Sequence, residues 1–461
     1  MSLTKPRRRR SRRVLSTLLA VVLVVVLVVA GVFGWTWYND RHAAVPAGTP
    51  DRPAVTAVTP AIAPVDPNAP EPADSGVARA LRAGLRDKAL GELTGMVSDP
   101  LTGQTLWSRD ANTPRTPASN AKILTASAAL LALDGDARLT TTVVLGADGT
   151  AVLVGGGDPT LSAQPAGEDT FYTSPARIAD LADQIRRSGA RVTSVAVAPT
   201  TVTGDSMAAG WDEADIKGGD ITPIESLTVD GGRLEPLDEY SPRSATPAIA
   251  AGQALAAALD LDTDVAEQAA PPGARTLARV TSAPLSVRVG DMMRYSDNVL
   301  AESLAIELST ATGGPASIEG GAAAVLKVLG ENGFDVDGTV LHDASGLSTK
   351  DLVPARLLDA LVSAAAGDAR PRLRPLLDTF PVAHGTGTLA ERFDPDQTPG
   401  AGWVRAKTGT LTGVTSLTGI VQTVDGRVLA FALMSGGTSP ADARPAVDAL
   451  VGALRECGCR D

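Results

Sequence analysis

Residues 117–133, PASNAKILTASAALLAL, carry the pattern that decides how this chain is interpreted. The segment begins with Pro117 and is rich in alanine and leucine, which predicts a helix over Ala118–Leu133. Residues three positions apart share one face of a helix, so Lys122 can reach the hydroxyl of Ser119. A lysine acts as a base only when it is neutral, and burial favours that state. A helix cap followed by a surface lysine would give the same spacing, so this pattern alone is ambiguous.

A second pattern, Ser296-Asp297-Asn298, precedes an apolar stretch with helical periodicity. In an acyl-transfer site the hydroxyl of Ser296 would relay a proton. The amide of Asn298 would orient the substrate and Lys122. A second helix cap explains the pattern equally well when it is taken by itself.

The third pattern is Lys407-Thr408-Gly409-Thr410, beside a segment with strand-like composition. Lysine is scarce in this chain, so a chance Lys-Thr-Gly is improbable. The lysine would supply positive charge for a carboxylate, and the glycine would let a substrate backbone approach the strand. A turn before a strand is the alternative explanation.

The order Ser-x-x-Lys, Ser-x-Asn, Lys-Thr-Gly is shared by penicillin-binding proteins and serine β-lactamases. The chain resembles the peptidase S13 family, the D-alanyl-D-alanine carboxypeptidases and endopeptidases among the low-molecular-mass class C penicillin-binding proteins. The long interval between the first two motifs is typical of that family and unlike a class A β-lactamase. The resemblance rests on six segments: 119–125, 156–161, 295–302, 343–348, 387–389 and 406–411.

The resemblance implies a role for each matching residue. Ser119 is the nucleophile, Lys122 activates it, and Ser296 passes the proton to the leaving D-alanine amine. Asn298 orients the substrate. The terminal carboxylate binds Lys407 and Thr408, and the oxyanion hole consists of the backbone N–H groups of Ser119 and Thr410.

Two further positions concern substrate recognition. Asp158, in Gly156-Gly157-Asp158-Pro159, is expected to contact the distal amine of a diaminopimelate side chain, although an Asp-Pro turn explains it equally well. Family members often have arginine directly after Ser-Gly-Leu-Ser. This chain has Thr349 and then Lys350, so recognition of the distal carboxylate is altered here or transferred to Lys350.

The predicted fold class is α+β: a penicillin-binding or serine β-lactamase-like transpeptidase domain, with an antiparallel sheet flanked by helices. This catalytic domain is expected to cover residues 75–135 and 276–461, with an inserted domain at 136–275. Strand patterns near both ends of the chain predict one sheet assembled from both ends. A helical pattern covers Val287–Leu308, and Asp425-Gly426 predicts the turn of a hairpin.

The first 74 residues predict a membrane attachment and a spacer. Residues 1–13 are rich in arginine, residues 14–37 are apolar and long enough to span a bilayer, and residues 38–74 are rich in alanine and proline. The basic flank predicts a cytoplasmic N-terminus, and hence a single-pass protein of the cell membrane with an extracytoplasmic catalytic domain. Secretion after cleavage of a signal peptide is the alternative.

The composition excludes some partners. A formal net charge of −11 gives no electrostatic basis for binding nucleic acid. Two cysteines, Cys457 and Cys459, cannot close a zinc site by themselves, and no metal or cofactor is expected. A disulfide between them, or no role, is the simplest interpretation.

The sequence therefore predicts a serine D-alanyl-D-alanine carboxypeptidase or endopeptidase. Its substrates would be peptidoglycan stem peptides, and β-lactam antibiotics would acylate and inhibit it. Two alternatives remain: a non-catalytic peptidoglycan-binding protein that retains the fold, or a β-lactamase.

Overall fold

A five-stranded antiparallel sheet joins the two ends of the chain, as the sequence predicts. The computed structural model describes residues 68–199 and 202–458. The order in the sheet is β10-β11-β12-β1-β2, so the C-terminal strands pair with the first strand of the domain. The strands are β1 (Glu92–Ser98), β2 (Thr105–Arg109), β10 (Val404–Leu411), β11 (Val414–Gln422) and β12 (Val428–Gly436).

Helices cover both faces of this sheet. On one face, apolar residues of the sheet such as Val97 and Phe431 pack with Val447 and Leu450 of the C-terminal helix. On the other face lies a helical layer whose central helix is buried almost all round, which suits its Ala- and Leu-rich sequence. The helices of the two layers are α1 (Asp74–Leu81), α2 (Ala121–Ala132), α6 (Leu285–Tyr295), α7 (Asn298–Ala311), α8 (Ile318–Glu331), α9 (Ala355–Ala366) and α11 (Pro440–Arg455).

The inserted segment forms a second five-stranded sheet with its own apolar core. The order is β7-β6-β5-β4-β8, and β6 runs parallel to both of its neighbours. The last strand ends at Thr281, beyond the predicted boundary at residue 275. The elements are β4 (Thr140–Leu145), β5 (Thr150–Val154), α3 (Ile178–Arg187), β6 (Ser194–Ala198), α4 (Ala214–Gly218), α5 (Pro247–Ala258), β7 (Ala266–Glu267) and β8 (Thr276–Thr281).

The prediction of one helical segment over Val287–Leu308 is wrong in one respect, because the structure has two helices there. The first, α6, ends when Ser296 adopts a left-handed conformation with φ 57°. Asp297 then caps α7 by accepting a hydrogen bond from the backbone N–H of Leu300 at 2.9 Å. The break places the second motif on a sharp turn between two helices.

Some predicted features lie outside the described residues: the apolar segment 14–37, most of the spacer at 38–74, and Cys459. The end of the predicted spacer belongs to the folded unit, because Ala69 is buried and its carbonyl accepts a hydrogen bond from Arg427. Cys457 takes part in a disulfide. Of the helices within 68–199 and 202–458, none has the length and hydrophobicity needed for a membrane span.

Candidate active site

Ser119 lies on a tight turn that leads into α2. Residues 118–120 form a 3₁₀ turn, so the α-helix begins at Ala121, later than the sequence predicts. Ala118 has φ 48°, a strained value for a residue with a side chain. Gly346 packs directly against this turn, so closely that a Cβ on Gly346 would lie 1.9 Å from the carbonyl oxygen of Ala118. The close contact of these two segments fixes the direction of the Ser119 side chain.

Lys122 is fully buried and makes three hydrogen bonds. Its Nζ donates to Ser119 Oγ at 3.1 Å, to Asn298 Oδ1 at 2.6 Å and to the carbonyl oxygen of Ser345 at 2.8 Å. The first and second motifs, far apart in sequence, therefore meet at one amine. This geometry matches a base that takes the proton of Ser119.

Burial also suits Lys122 to that role. Loss of hydration lowers its pKa from 10.5 to about 8, against the opposing effect of nearby carboxylates, of which Asp343 is the strongest and Glu302 the next. A far larger fraction of Lys122 is therefore neutral near pH 7–8 than of an exposed lysine.

The third motif meets the second. Lys407 is fully buried, and its Nζ donates to Ser296 Oγ at 2.8 Å and to the carbonyl oxygen of Thr408 at 2.9 Å. Burial, followed by the charge of Lys122, lowers the pKa of Lys407 well below its usual value. The amine thus lies behind Ser296, which differs from the direct carboxylate contact that the resemblance implies.

Strand β10 presents the backbone edge of its second half to the site, whereas its first half is bonded to the segment around Val382. It is an edge strand, paired only with β11 in its sheet. The N–H of Ala406 points away from β11, because it donates to the carbonyl oxygen of Pro381 at 3.1 Å. The register with β11 is regular, so the N–H groups of Thr408 and Thr410 point the same way. This direction fits the predicted contribution of Thr410 to an oxyanion hole.

Gly409 allows β10 to lie against the Ser119 turn. A Cβ at this position would lie 2.1 Å from Ser416 Oγ and 2.8 Å from the carbonyl oxygen of Pro117. Ser416 Oγ in turn donates to that same carbonyl at 2.7 Å. The glycine is required for packing of the strand against the turn, a different reason from the substrate approach suggested by the sequence.

We expect Gly409→Ala to slow acylation by a penicillin and to destabilise the fold by about 1–3 kcal/mol, the usual cost of overpacking. The new methyl group would push the Ser119 turn away from β10. Gly290→Ala is the matched control, since no atom lies within 4 Å of its added Cβ and the position is helical. Acylation rate and denaturant unfolding would be measured for both variants. A Gly409→Ala protein indistinguishable from Gly290→Ala would contradict this packing argument.

One cleft of about 890 Å³ connects the three motifs. Ser119, Ser296, Asn298, Thr408 and Thr410 all line it. Charged residues that the sequence analysis missed line it as well. They include Asp220, Arg233, Glu239 and Arg243 from the inserted segment and Arg444 from α11. No local pattern marks these residues, because only the folded chain brings them to the cleft.

Asp158 does not fit the predicted contact with a substrate amine. Its side chain is 3 % exposed, and Oδ1 accepts hydrogen bonds from the N–H of Thr160 at 2.9 Å and from Thr160 Oγ1 at 2.6 Å. Asp158 is absent from the described residues that line the cleft. The turn explanation therefore holds for this residue. Lys350 is solvent-exposed and likewise does not line the cleft.

Three features surround one cleft: a serine on the turn before a helix with a lysine three residues later, a Ser-x-Asn turn, and a Lys-Thr-Gly edge strand. Together they define the serine acyl-enzymes of the penicillin-binding class. Family comparison narrows this class. The model of the D-Ala-D-Ala carboxypeptidase 3 (S13) family matches residues 77–239 and 235–457, and the chain belongs to that family.

Individual relatives agree with this assignment. Carboxypeptidase DacB of Mycolicibacterium smegmatis is 49 % identical over 94 % of this chain and 95 % of its own length. Carboxypeptidase Rv3627c of Mycobacterium tuberculosis is 49 % identical over 90 % of each chain. The crystal structure of penicillin-binding protein 4 (dacB) from Haemophilus influenzae has the same fold. It aligns with a TM-score of 0.67 at 20 % identity, covering 83 % of this chain and 99 % of that one.

Proposed function

We propose that this protein is a serine D-alanyl-D-alanine carboxypeptidase that removes the terminal D-alanine of peptidoglycan stem peptides. The observation that carries the proposal is the position of Lys122 Nζ, within hydrogen-bond distance of both Ser119 Oγ and Asn298 Oδ1. Family membership and the two carboxypeptidases at 49 % identity support the substrate class. The same serine would react with β-lactam antibiotics.

The chemistry follows from the positions of the side chains. Neutral Lys122 takes the proton of Ser119 Oγ as that oxygen attacks the carbonyl carbon between the two D-alanines. The N–H groups of Ser119 and Thr410 stabilise the negative charge on the carbonyl oxygen. Ser296, held by Lys407, passes a proton to the departing amine and regains one from Lys122, so that the proton taken from Ser119 leaves with D-alanine. Water then hydrolyses the ester on Ser119.

The carboxylate of the leaving D-alanine would bind on the Thr408 and Thr410 side of the cleft. Thr408 Oγ1 donates to Thr388 Oγ1 at 2.8 Å, and Thr410 Oγ1 accepts a hydrogen bond from Arg444 at 3.2 Å. Because Lys407 is buried behind Ser296, Arg444 is the exposed cation best placed to attract this carboxylate.

D-Alanine release from a diaminopimelate-containing pentapeptide tests the proposal, together with covalent labelling by a fluorescent penicillin. Release with slow loss of the label supports the carboxypeptidase. Rapid turnover of penicillin without release would favour a β-lactamase. A folded protein that neither releases D-alanine nor becomes labelled would favour a peptidoglycan-binding role. Cleavage of a cross-linked peptide dimer would add endopeptidase activity.

We further propose that residues 14–37 anchor the protein in the cell membrane, with the catalytic domain on the extracytoplasmic side. The support is the sequence itself, an apolar segment directly after a cluster of arginines. Recovery of the intact protein in the membrane fraction, with its catalytic domain accessible to protease from outside, is the expected result. A shortened protein in the medium would favour signal cleavage.

A further inference from the structure

Asp297, the middle residue of the second motif, has no part in the mechanism described above, yet its carboxylate is completely buried. One oxygen, Oδ1, accepts the capping hydrogen bond of α7. The other, Oδ2, accepts hydrogen bonds from Arg233 Nη2 at 2.8 Å and from the hydroxyl of Tyr172 at 2.9 Å. The side chain of Arg233 is 1 % exposed. A buried carboxylate is costly unless it is paired in this way.

The side chains that pair with Asp297 all belong to the inserted segment and are themselves held by further contacts. Arg233 Nη1 donates to the hydroxyl of Tyr172 at 2.9 Å, and its guanidinium lies 3.6 Å from the centre of the Phe171 ring. Arg243 Nη2 lies 4.0 Å from Asp297, and this second arginine also donates to the carbonyl oxygens of two glycines, Gly219 and Gly231. Tyr172, Arg233 and Arg243 together are called the arginine clamp below.

The arginine clamp holds the two working residues on either side of Asp297. Ser296 is in the left-handed conformation, which costs free energy and persists only where the surroundings impose it. Asn298 Nδ2 donates to the carbonyl oxygen of Asp220 at 2.9 Å, and Asp220 follows the glycine that Arg243 binds. Two residues of the turn, Asp297 and Asn298, are thus hydrogen-bonded to the inserted segment.

We propose that Arg233 and Arg243 are positioning residues for acylation: they hold Ser296 and Asn298 in place and neutralise the negative charge of Asp297 beside Lys122. This inference rests on the proposed acyl-enzyme function and deepens it. It gives the inserted segment a role in catalysis, although the segment supplies none of the three motifs.

The charge argument depends on the groups around Lys122. Burial alone would raise the pKa of Asp297, but Arg233 and then Arg243 outweigh it and hold that pKa well below its usual range. Asp297 is therefore ionised. Without Arg233, only Arg243 at 4.0 Å would offset this charge, so more of it would act on Lys122 and raise the pKa of that lysine. The other titratable groups facing Lys122 are Asp343, Glu302, Asp220 and Lys407, and those facing Asp297 also include Asp291 and Glu239.

The test uses Arg233→Met and Arg233→Lys in the full-length protein. The control is Arg186→Met, at an exposed position of α3 in the same inserted segment. The second-order rate constant of acylation by a fluorescent penicillin would be measured from pH 6 to pH 10. Thermal unfolding of each variant would be followed in parallel.

For Arg233→Met we expect acylation at pH 7.5 to fall by roughly 10²-fold, the cost of misplacing a catalytic group. We also expect the pH at which acylation reaches half its maximum to rise by about one unit, because a carboxylate that has lost one of its two arginines favours protonated Lys122. Arg233→Lys keeps the positive charge but loses the planar guanidinium that bonds Asp297 and Tyr172 together. Its acylation rate should therefore fall while its pH profile stays near that of the wild type.

A folded Arg233→Met protein with the wild-type pH profile would overturn the inference, as would a wild-type acylation rate. If Arg233→Met does not fold, Arg233→Lys decides alone, and an unchanged acylation rate in it would also overturn the inference. Failure of the proposed function gives a different result, because the wild-type protein itself would then release no D-alanine, whether or not penicillin acylates it.

Discussion

Ser119→Ala is expected to abolish D-alanine release and covalent labelling by penicillin, with a loss on the order of 10⁶-fold in turnover. The reason is chemical, because no acyl-enzyme forms without the Oγ atom that attacks the substrate. Stability should change little, since Ser119 is only half-buried and, among the described residues, its side chain is hydrogen-bonded to Lys122 alone. Mass spectrometry after incubation with penicillin should show the unmodified mass.

Ser127→Ala is the matched control for this variant. Ser127 lies on α2, the helix that follows the Ser119 turn. It is buried, and its Oγ makes no hydrogen bond to the described residues. Its removal should leave both activities at the wild-type level. Residual labelling of Ser119→Ala at a stoichiometry near one would mean that another residue is the nucleophile, and the assignment of the site would fall.

The parts of the site that the sequence predicts are those held by short-range geometry. The three-residue spacing of Ser119 and Lys122 accounts for their contact at the start of α2. The Asp425-Gly426 turn indicates the hairpin of β11 and β12. The order of the three motifs then carries the family resemblance. Family membership places the three motifs in one fold, although their positions in the sequence do not give the distances between their side chains.

The features that could not be predicted depend on contacts between distant segments. The break of the helix at Ser296 is stabilised by Asp297. Its partner Arg233 lies in the inserted segment, and no local sequence pattern pairs the two residues. The burial of Lys407 behind Ser296 likewise depends on a contact between distant segments, because β10 carries Lys407 and the turn between α6 and α7 carries Ser296. Asp158 is the converse case: the resemblance implies a substrate contact, whereas the structure shows its Oδ1 accepting hydrogen bonds from Thr160 within a turn.

The second large effect is expected for Lys122→Met, which should reduce the rate of acylation by about 10²–10⁴-fold, the usual contribution of a general base. Methionine has a similar length and no charge, so it can fill the buried space. Asn298 Oδ1 and the carbonyl oxygen of Ser345 would lose their donor, at a cost of about 1–3 kcal/mol each. Removal of a buried amine offsets part of this cost.

Lys327→Met controls for loss of a lysine, because Lys327 lies on the exposed face of α8. Stopped-flow acylation and thermal unfolding of both variants separate the catalytic effect from the structural one. If Lys122→Met were acylated as fast as Lys327→Met, the proton of Ser119 would have to go to another base.

The pH profile provides the sharper test of the same role. Acylation needs neutral Lys122, whose pKa is about 8, so the wild-type rate should fall roughly tenfold for each pH unit below that value and level off above it. The sign follows from burial, because an exposed lysine with a pKa of 10.5 would still be charged at pH 8–9 and the rise would come later. Lys122→Met should lose this acid limb along with most of its rate. A limb near pH 8 that survives in the variant would assign the titration to a different group.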